Sequence, residues 1–155
     1  MTDFAIYETK LGYFKITVEN EIVIAIKKIN YEDIVDMGIK TNLTTKVFTQ
    51  LEEYFSGKRK TFDFPFELHG TDFQKRVWRA LLDIHYGKTR SYKDIAIAIG
   101  NEKACRAVGM ANNKNPLPIV VPCHRVIGTS GKMVGYAYGM PMKEFLLALE
   151  QENLA

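Results

Sequence analysis

Asn115-Pro116-Leu117-Pro118-Ile119-Val120-Val121-Pro122-Cys123-His124-Arg125-Val126-Ile127-Gly128 is the stretch around which the rest of the chain is organised. Each proline fixes φ and removes a backbone donor, so three of them in this short span predict a stiff, extended path. The path delivers Cys123, His124 and Arg125 in succession. A thiol held still beside an imidazole is a candidate nucleophile with its activating group. The same residues also describe a buried strand that ends in a turn and carries a small apolar cysteine. The pair alone favours that plainer description; the flanking sequence reverses the preference.

Upstream, Thr71-Asp72-Phe73-Gln74 is a capping box. The helix it opens carries Phe73, Val77, Leu81 and Ile84 on one stripe, with Trp78 beside it as a core residue. Tyr86-Gly87 ends this helix. Ser91-Tyr92-Lys93-Asp94 opens a short helix over Tyr92–Ile99, which Gly100 terminates. A further helix is expected over about Ala104 to Asn112. Two short helices around a glycine-containing turn fit a helix-turn-helix. Asn112-Asn113-Lys114-Asn115-Pro116 breaks the second of them and leads into the cysteine stretch. Downstream, Gly128 to Gly139 reads as a glycine-rich loop. Pro141 opens a last helix whose inner face holds Phe145, Leu146 and Leu149.

The first half differs in kind. Phe4–Glu8, Gly12–Glu19 and Glu21–Ile29 read as strands of an antiparallel meander, with Ile22, Ile24 and Ile26 on one face. Thr44–Ser56 reads as a helix, with Gly57 just past its end. Thr61–His69 alternates Phe62, Phe64, Phe66 and Leu68, and Pro65 restricts it to an edge strand or an extended connector. A domain boundary is placed here, giving residues 1–65 and 66–155.

Composition is that of a water-soluble globular protein: 155 residues, 46% hydrophobic, 25% charged and 12% aromatic. No apolar run approaches the roughly 20 residues a membrane span needs, so no membrane partner is expected. Met1 to Ala5 carry no secretory signal, and the two cysteines, Cys105 and Cys123, make neither a disulfide framework nor a zinc-site pattern. A reducing, cytoplasmic setting fits, nucleoid-associated if the source is prokaryotic. The net charge of +3 is uneven. Residues 1–71 hold nine Lys/Arg against eleven Asp/Glu, and residues 72–155 hold twelve against seven. A basic second half is compatible with a nucleic-acid backbone as partner, and equally with a solvated lysine-rich surface.

The order of these segments resembles the O6-alkylguanine-DNA alkyltransferase family, the methylated-DNA–protein-cysteine methyltransferases. The matching residues are Gln50 to Gly57, Gly70 to Gln74, Val77-Trp78, Tyr86-Gly87, Ser91-Tyr92 and Arg106-Ala107-Val108-Gly109. They continue with Asn115-Pro116, Pro122-Cys123-His124-Arg125-Val126, Gly135-Tyr136-Ala137 and Lys143 to Glu150. A lone Pro-Cys-His-Arg-Val is a moderate signal; this many segments in order over about residues 50–150 are not a coincidence. The first fifty residues match in outline only.

The resemblance implies an α+β fold. A small N-terminal α/β domain with an antiparallel, ribonuclease-H-like sheet would precede a mainly helical domain containing the helix-turn-helix. It also implies direct-reversal DNA repair, in which an alkyl group leaves guanine O6 (or thymine O4) in double-stranded DNA for the protein's own cysteine, once and irreversibly. No cofactor is implied; the zinc-binding cysteines and histidines of some family N-terminal domains are not apparent in this sequence, so no metal is expected, and the protein would act as a monomer. Cys123 would be the acceptor. His124 would be its base, through a water, with Glu150 holding the far nitrogen. Tyr92 would donate to the guanine as its oxygen leaves. Asn115 would tie the turn that leads to the cysteine. Arg106 would take the place of the flipped nucleotide, on a helix whose Ala104, Ala107 and Gly109 allow close approach to the minor groove. Pro118, Val126, Tyr136 and Ala137 would line the base pocket, with Lys143 supporting it, while Arg125 would pair with a carboxylate. Tyr138 stands where the family pattern has glycine, which leaves adduct range open.

Three other functions are compatible with parts of this pattern. A lesion-binding relative that cannot accept the group would lack Cys123. A transcription factor would read base edges with polar side chains, whereas this recognition helix is mostly Ala and Gly. A thiol hydrolase would turn over.

Overall fold

The structure, a computed structural model, describes residues 2–128, 131 and 135–154. The expected loop Gly128 to Gly139 lies partly outside the described residues. The chain divides into two compact units, one ending at Leu68 and one beginning at His69. Among the described residues no helix is long and apolar enough to cross a membrane.

In the first unit β1 (Thr2–Thr9), β2 (Gly12–Glu19) and β3 (Ile22–Ile29) form an antiparallel meander in the order β1-β2-β3. Asn20 and Glu21 connect β2 to β3 with φ of 52° and 63°, the positive values that a two-residue hairpin turn needs. One expectation fails in β3. Thr17 faces Ala25 and Val18 faces Val23, so Ile24 is an extra residue in a bulge. The bulge resets the alternation: Val23 and Ile26 are buried, whereas Ile22 and Ile24 are only half-buried.

The helix α1 (Asn42–Phe55) starts two residues earlier than expected because Thr41 and Thr44 form a reciprocal capping box. Its buried Val47, Leu51, Tyr54 and Phe55 cover the sheet, and Tyr7 joins Thr44 through a 2.9 Å hydroxyl hydrogen bond. Both sheet edges are covered in part. Ile6 donates to Met37 and Ile39 to Phe4 beside β1. Gly38, at φ 74°, is required there because a Cβ would lie 2.1 Å from the Phe4 carbonyl oxygen. Beside β3, Val23 donates to Pro65 and Glu67 donates to Val23. The segment Thr61–His69 is thus the connector rather than a strand, touching the sheet at one bridge, Val23 to Phe66.

In the second unit α2 (Asp72–Leu82), α3 (Tyr92–Ala98) and α4 (Cys105–Asn113) pack on one another. Capping boxes at Thr71/Gln74 and Ser91/Asp94 start α2 and α3. Gly100, at φ 82°, makes the turn that brings α4 back over both. Trp78 is 1% exposed and its Nε1 donates to the Ala111 carbonyl at 2.8 Å. This bond fixes the end of α4 that leads into the cysteine stretch. Trp78→Phe is expected to destabilise the protein by about 1–2 kcal/mol, from one lost hydrogen bond and a small void. A urea midpoint shift at unchanged slope would measure it. Short parallel pairing of β4 (Arg90–Ser91) with β5 (Val126–Ile127) ties the start of α3 to the residues after the cysteine. The last helix, α5 (Met140–Glu152), buries Met142, Leu146 and Leu149 together with two ionisable residues, Lys143 and Glu150.

Candidate active site

The cysteine stretch is buried throughout Leu117–Val126, but it is not extended. Val121 donates to the Leu117 carbonyl at 2.9 Å, and Ile119 between them has φ of 76°. A β-branched residue in the left-handed region costs about 1–3 kcal/mol, and it persists only where its surroundings hold it. Asn115 does much of the holding. Its Nδ2 donates to Val121 O at 2.8 Å and its Oδ1 accepts from Leu117 N at 2.9 Å. Cys123–Arg125 then forms a single 3-10 turn. The expected extended path therefore stops short of the cysteine. Three prolines stiffen the segment locally, but the asparagine clamp decides its course.

Cys123 is 4% exposed. Burial pushes its thiol pKa up; hydrogen bonding with the Asn115 and Tyr136 side chains and the Lys143 charge pull it part of the way back. Asn112, 1% exposed, donates from Nδ2 to the Cys123 carbonyl at 3.3 Å. Lys143 is fully buried on α5 and donates from Nζ to the Val126 carbonyl. Burial lowers its pKa, and the nearby Cys123 acts against that.

The next side chain along the turn, His124, is fully buried, and its Nε2 lies 2.7 Å from Glu150 Oε2. Arg125 completes the group: Nε and Nη2 donate to the Glu150 carboxylate at 2.8 and 2.9 Å, and Nη1 donates to the Ile84 carbonyl at 2.6 Å. Its guanidinium also lies 5.6 Å from the Tyr86 ring centre. Burial alone would raise the Glu150 pKa. Hydrogen bonds from His124 and Arg125, and their charges, outweigh burial and bring it down to about 2. Burial lowers the His124 pKa against the pull of Glu150, so the imidazole is neutral and the carboxylate ionised near neutral pH. A neutral imidazole fixed by an anionic partner can accept a proton from a thiol.

Tyr92, at the first position of α3, links this pocket to α4. Its hydroxyl donates to the Gly135 carbonyl at 3.3 Å. Its ring covers Gly109, where an added Cβ would meet Tyr92 Cε1 at 3.7 Å. Burial and then the proximity of Cys123 raise its pKa, so it remains a donor. Arg106 and Ala107 are exposed on α4, and Ala104 caps the helix without a side-chain bond. Pro118, Val126 and Tyr136 are buried with the cysteine, while Ala137 is exposed.

Several contributors carried little or no signal in local spacing. Asn112 read only as a helix breaker. Met110, 69% exposed, shares the open face of α4. Tyr138 packs edge-on to Tyr136 with ring centres 5.9 Å apart, and burial together with Cys123 pushes its pKa up to about 12. Glu150 read by itself as a solvated helix-end carboxylate, because nothing in a spacing of 25 residues links it to Arg125.

Comparison with known proteins finds two family patterns. The 6-O-methylguanine DNA methyltransferase ribonuclease-like domain matches residues 4–68, and the DNA binding domain of the same family matches residues 72–152. A methylated-DNA–protein-cysteine methyltransferase of Methanosarcina barkeri is 61% identical over 105 residues, which are 68% of this chain and 66% of that protein. One from Methanosarcina acetivorans is 46% identical over 154 residues, which are 95% of this chain and 97% of that protein. Among solved structures, Mycobacterium tuberculosis OGT in complex with DNA superposes with a TM-score of 0.88 at 40% identity, covering 97% of this chain and 93% of that one.

Proposed function

The chain belongs to the 6-O-methylguanine DNA methyltransferase family, and from that premise we propose that it repairs double-stranded DNA by moving an alkyl group from guanine O6 onto its own Cys123. The observation that carries this reading is a buried thiol directly followed by a fully buried imidazole, which a carboxylate–guanidinium pair holds in place. In the proposed reaction the thiol proton passes through a water to His124. The sulfur attacks the alkyl carbon in line, a C–S bond forms, and the C–O6 bond breaks with its electron pair going to the guanine. Tyr92 supplies the proton that the departing base takes up; solvent restores it as His124 releases the proton it took from the thiol, so no net proton is consumed. Glu150 acts through His124, and Arg125 through Glu150. Asn115, Lys143 and Tyr136 hold the thiol, while Pro118, Val126 and Ala137 border the base.

A base in a duplex cannot reach a sulfur this buried, so the nucleotide must leave the stack. Arg106 is the flat, cationic side chain on the exposed face of α4 that fills the gap. Ala104, Ala107 and Gly109 leave the helix slim enough to approach a narrow groove. The product thioether is stable, and the protein acts as a monomer, once, in a reducing compartment. A lesion binder that accepts nothing has no use for a thiol with this relay behind it.

Incubation with an excess of duplex containing O6-methylguanine tests the reading. Uptake should stop at one methyl group per protein; no uptake, or repeated turnover, would defeat it. Arg106→Ala should slow repair of the duplex by about tenfold or more, yet leave reaction with free O6-benzylguanine nearly unchanged, because the free base needs no extrusion. Single-turnover rates on the two substrates separate these outcomes, and equal losses would remove Arg106 from the role.

A further inference from the structure

Glu150 has one more partner, and it comes from a loop that the reaction does not otherwise use. The Gly87 amide donates to Glu150 Oε1 at 3.1 Å, and the Gly87 carbonyl accepts from Gln151 Nε2 at 2.6 Å. Gly87 has φ of 80°, and a Cβ there would lie 2.2 Å from Leu154 Cδ2. The residues after α5 thus pack over a position whose left-handed backbone favours glycine. The same loop anchors Arg125, through the Ile84 carbonyl and the Tyr86 ring. Residues 84–87 therefore hold both members of the ion pair that restrains the imidazole.

We propose that Gly87 and Gln151 form a latch that positions Glu150 against His124, so that alkyl transfer depends on two residues that touch neither sulfur nor DNA. This rests on the proposed role of His124 as the base. Gln151 follows Glu150 directly on α5. By gripping the Gly87 carbonyl it holds Gly87 in place, so that its amide, together with Arg125 Nε, fixes Glu150 Oε1. The other oxygen is left to His124 Nε2 and Arg125 Nη2. The charged and titratable groups facing this pair are Arg125 on the 3-10 turn, Tyr86 on the loop and Lys143 on α5. The Gly87 amide adds a neutral backbone donor to them.

Loosening the latch lets Glu150 drift from His124. The imidazole then loses the anion that supports its proton affinity, so its titration moves to lower pH and it becomes a weaker base. Gln151→Leu removes the grip, whereas Gln151→Lys keeps a donor of similar reach, its exposed charge screened by recording the titrations at about 0.5 M salt. Two readouts are needed. The His124 titration, followed by NMR in the free protein, should fall by about half a pH unit in Gln151→Leu and return toward the original in Gln151→Lys. The single-turnover rate with O6-methylguanine duplex should fall about tenfold in Gln151→Leu, with its acid limb moved to lower pH and DNA affinity unchanged. A merely structural role would lower the melting temperature without moving either titration. An unmoved His124 titration in Gln151→Leu, or equal shifts in the two variants, overturns the latch. If the unsubstituted protein takes up no methyl group, the proposed function fails instead, and the NMR titration still decides the latch.

Discussion

Cys123→Ser is expected to take up no alkyl group, a loss of about 10⁴-fold or more in the transfer rate. The two residues differ little in size, so the packing by Asn115 and Tyr136 should survive. The chemistry does not. A thiol buried to this extent already needs His124 to remove its proton, and a hydroxyl is a far weaker acid that a neutral imidazole cannot deprotonate to a useful degree. The oxygen is also the poorer nucleophile towards an alkyl carbon. Intact mass after incubation with O6-methylguanine duplex gives the answer: one added methyl group on the unsubstituted protein, none on the serine variant. DNA affinity and melting temperature should change little. A methyl group on Cys123→Ser protein would place the acceptor elsewhere, and Cys105, on the half-exposed first turn of α4, would be the next residue to map.

Glu150→Gln is expected to cost about 3–5 kcal/mol of stability, because it breaks a buried ion pair from one side. The carboxylate is fully buried and accepts from His124, Arg125 and Gly87. Its replacement leaves the Arg125 guanidinium, 8% exposed, without a counter-charge. A double variant, Glu150→Gln with Arg125→Met, removes both charges and should recover much of the stability without recovering transfer, because His124 still lacks its anion. Recovery of transfer in the double variant would show that Arg125, not Glu150, governs the imidazole.

The same carboxylate predicts how stability depends on pH. Its pKa in the folded protein, about 2, lies below the ordinary value of 4.5. The folded state therefore binds fewer protons than the unfolded state between these values. The stabilisation is complete above about pH 4.5 and is lost as pH falls towards 2, with an amplitude on the order of 3 kcal/mol. His124, with its pKa lowered by burial, acts in the same direction, starting below its ordinary 6.5. Acid denaturation should thus be steeper in the unsubstituted protein than in the double variant, which lacks the Glu150 contribution.

Much of the local information was legible in the sequence. The capping box at Thr71, the helix start at Ser91, the glycines that end α3 and α1, and the strand of alternating Phe14, Ile16 and Val18 depend only on near neighbours, although the Thr41/Thr44 capping box was missed. Where a residue's neighbour lies far along the chain, local pattern misled. The bulge at Ile24 shifts the buried face of β3, and the Asn115 clamp turns a proline-rich stretch away from the extended form.

The order of Cys123-His124-Arg125, the small residues around Arg106 and the helix-turn-helix spacing were determined by the sequence itself, because each is a matter of adjacency or helical period. Read from its own position, Glu150 was a solvated charge at a helix end; the resemblance paired it with His124, and the tertiary structure showed it buried, ionised and shared with Arg125. The reason is physical: a carboxylate on a helix end is well solvated in water, and only a fold that brings His124 and Arg125 from one turn and the Gly87 amide from another loop into a dry enclosure can keep it charged inside.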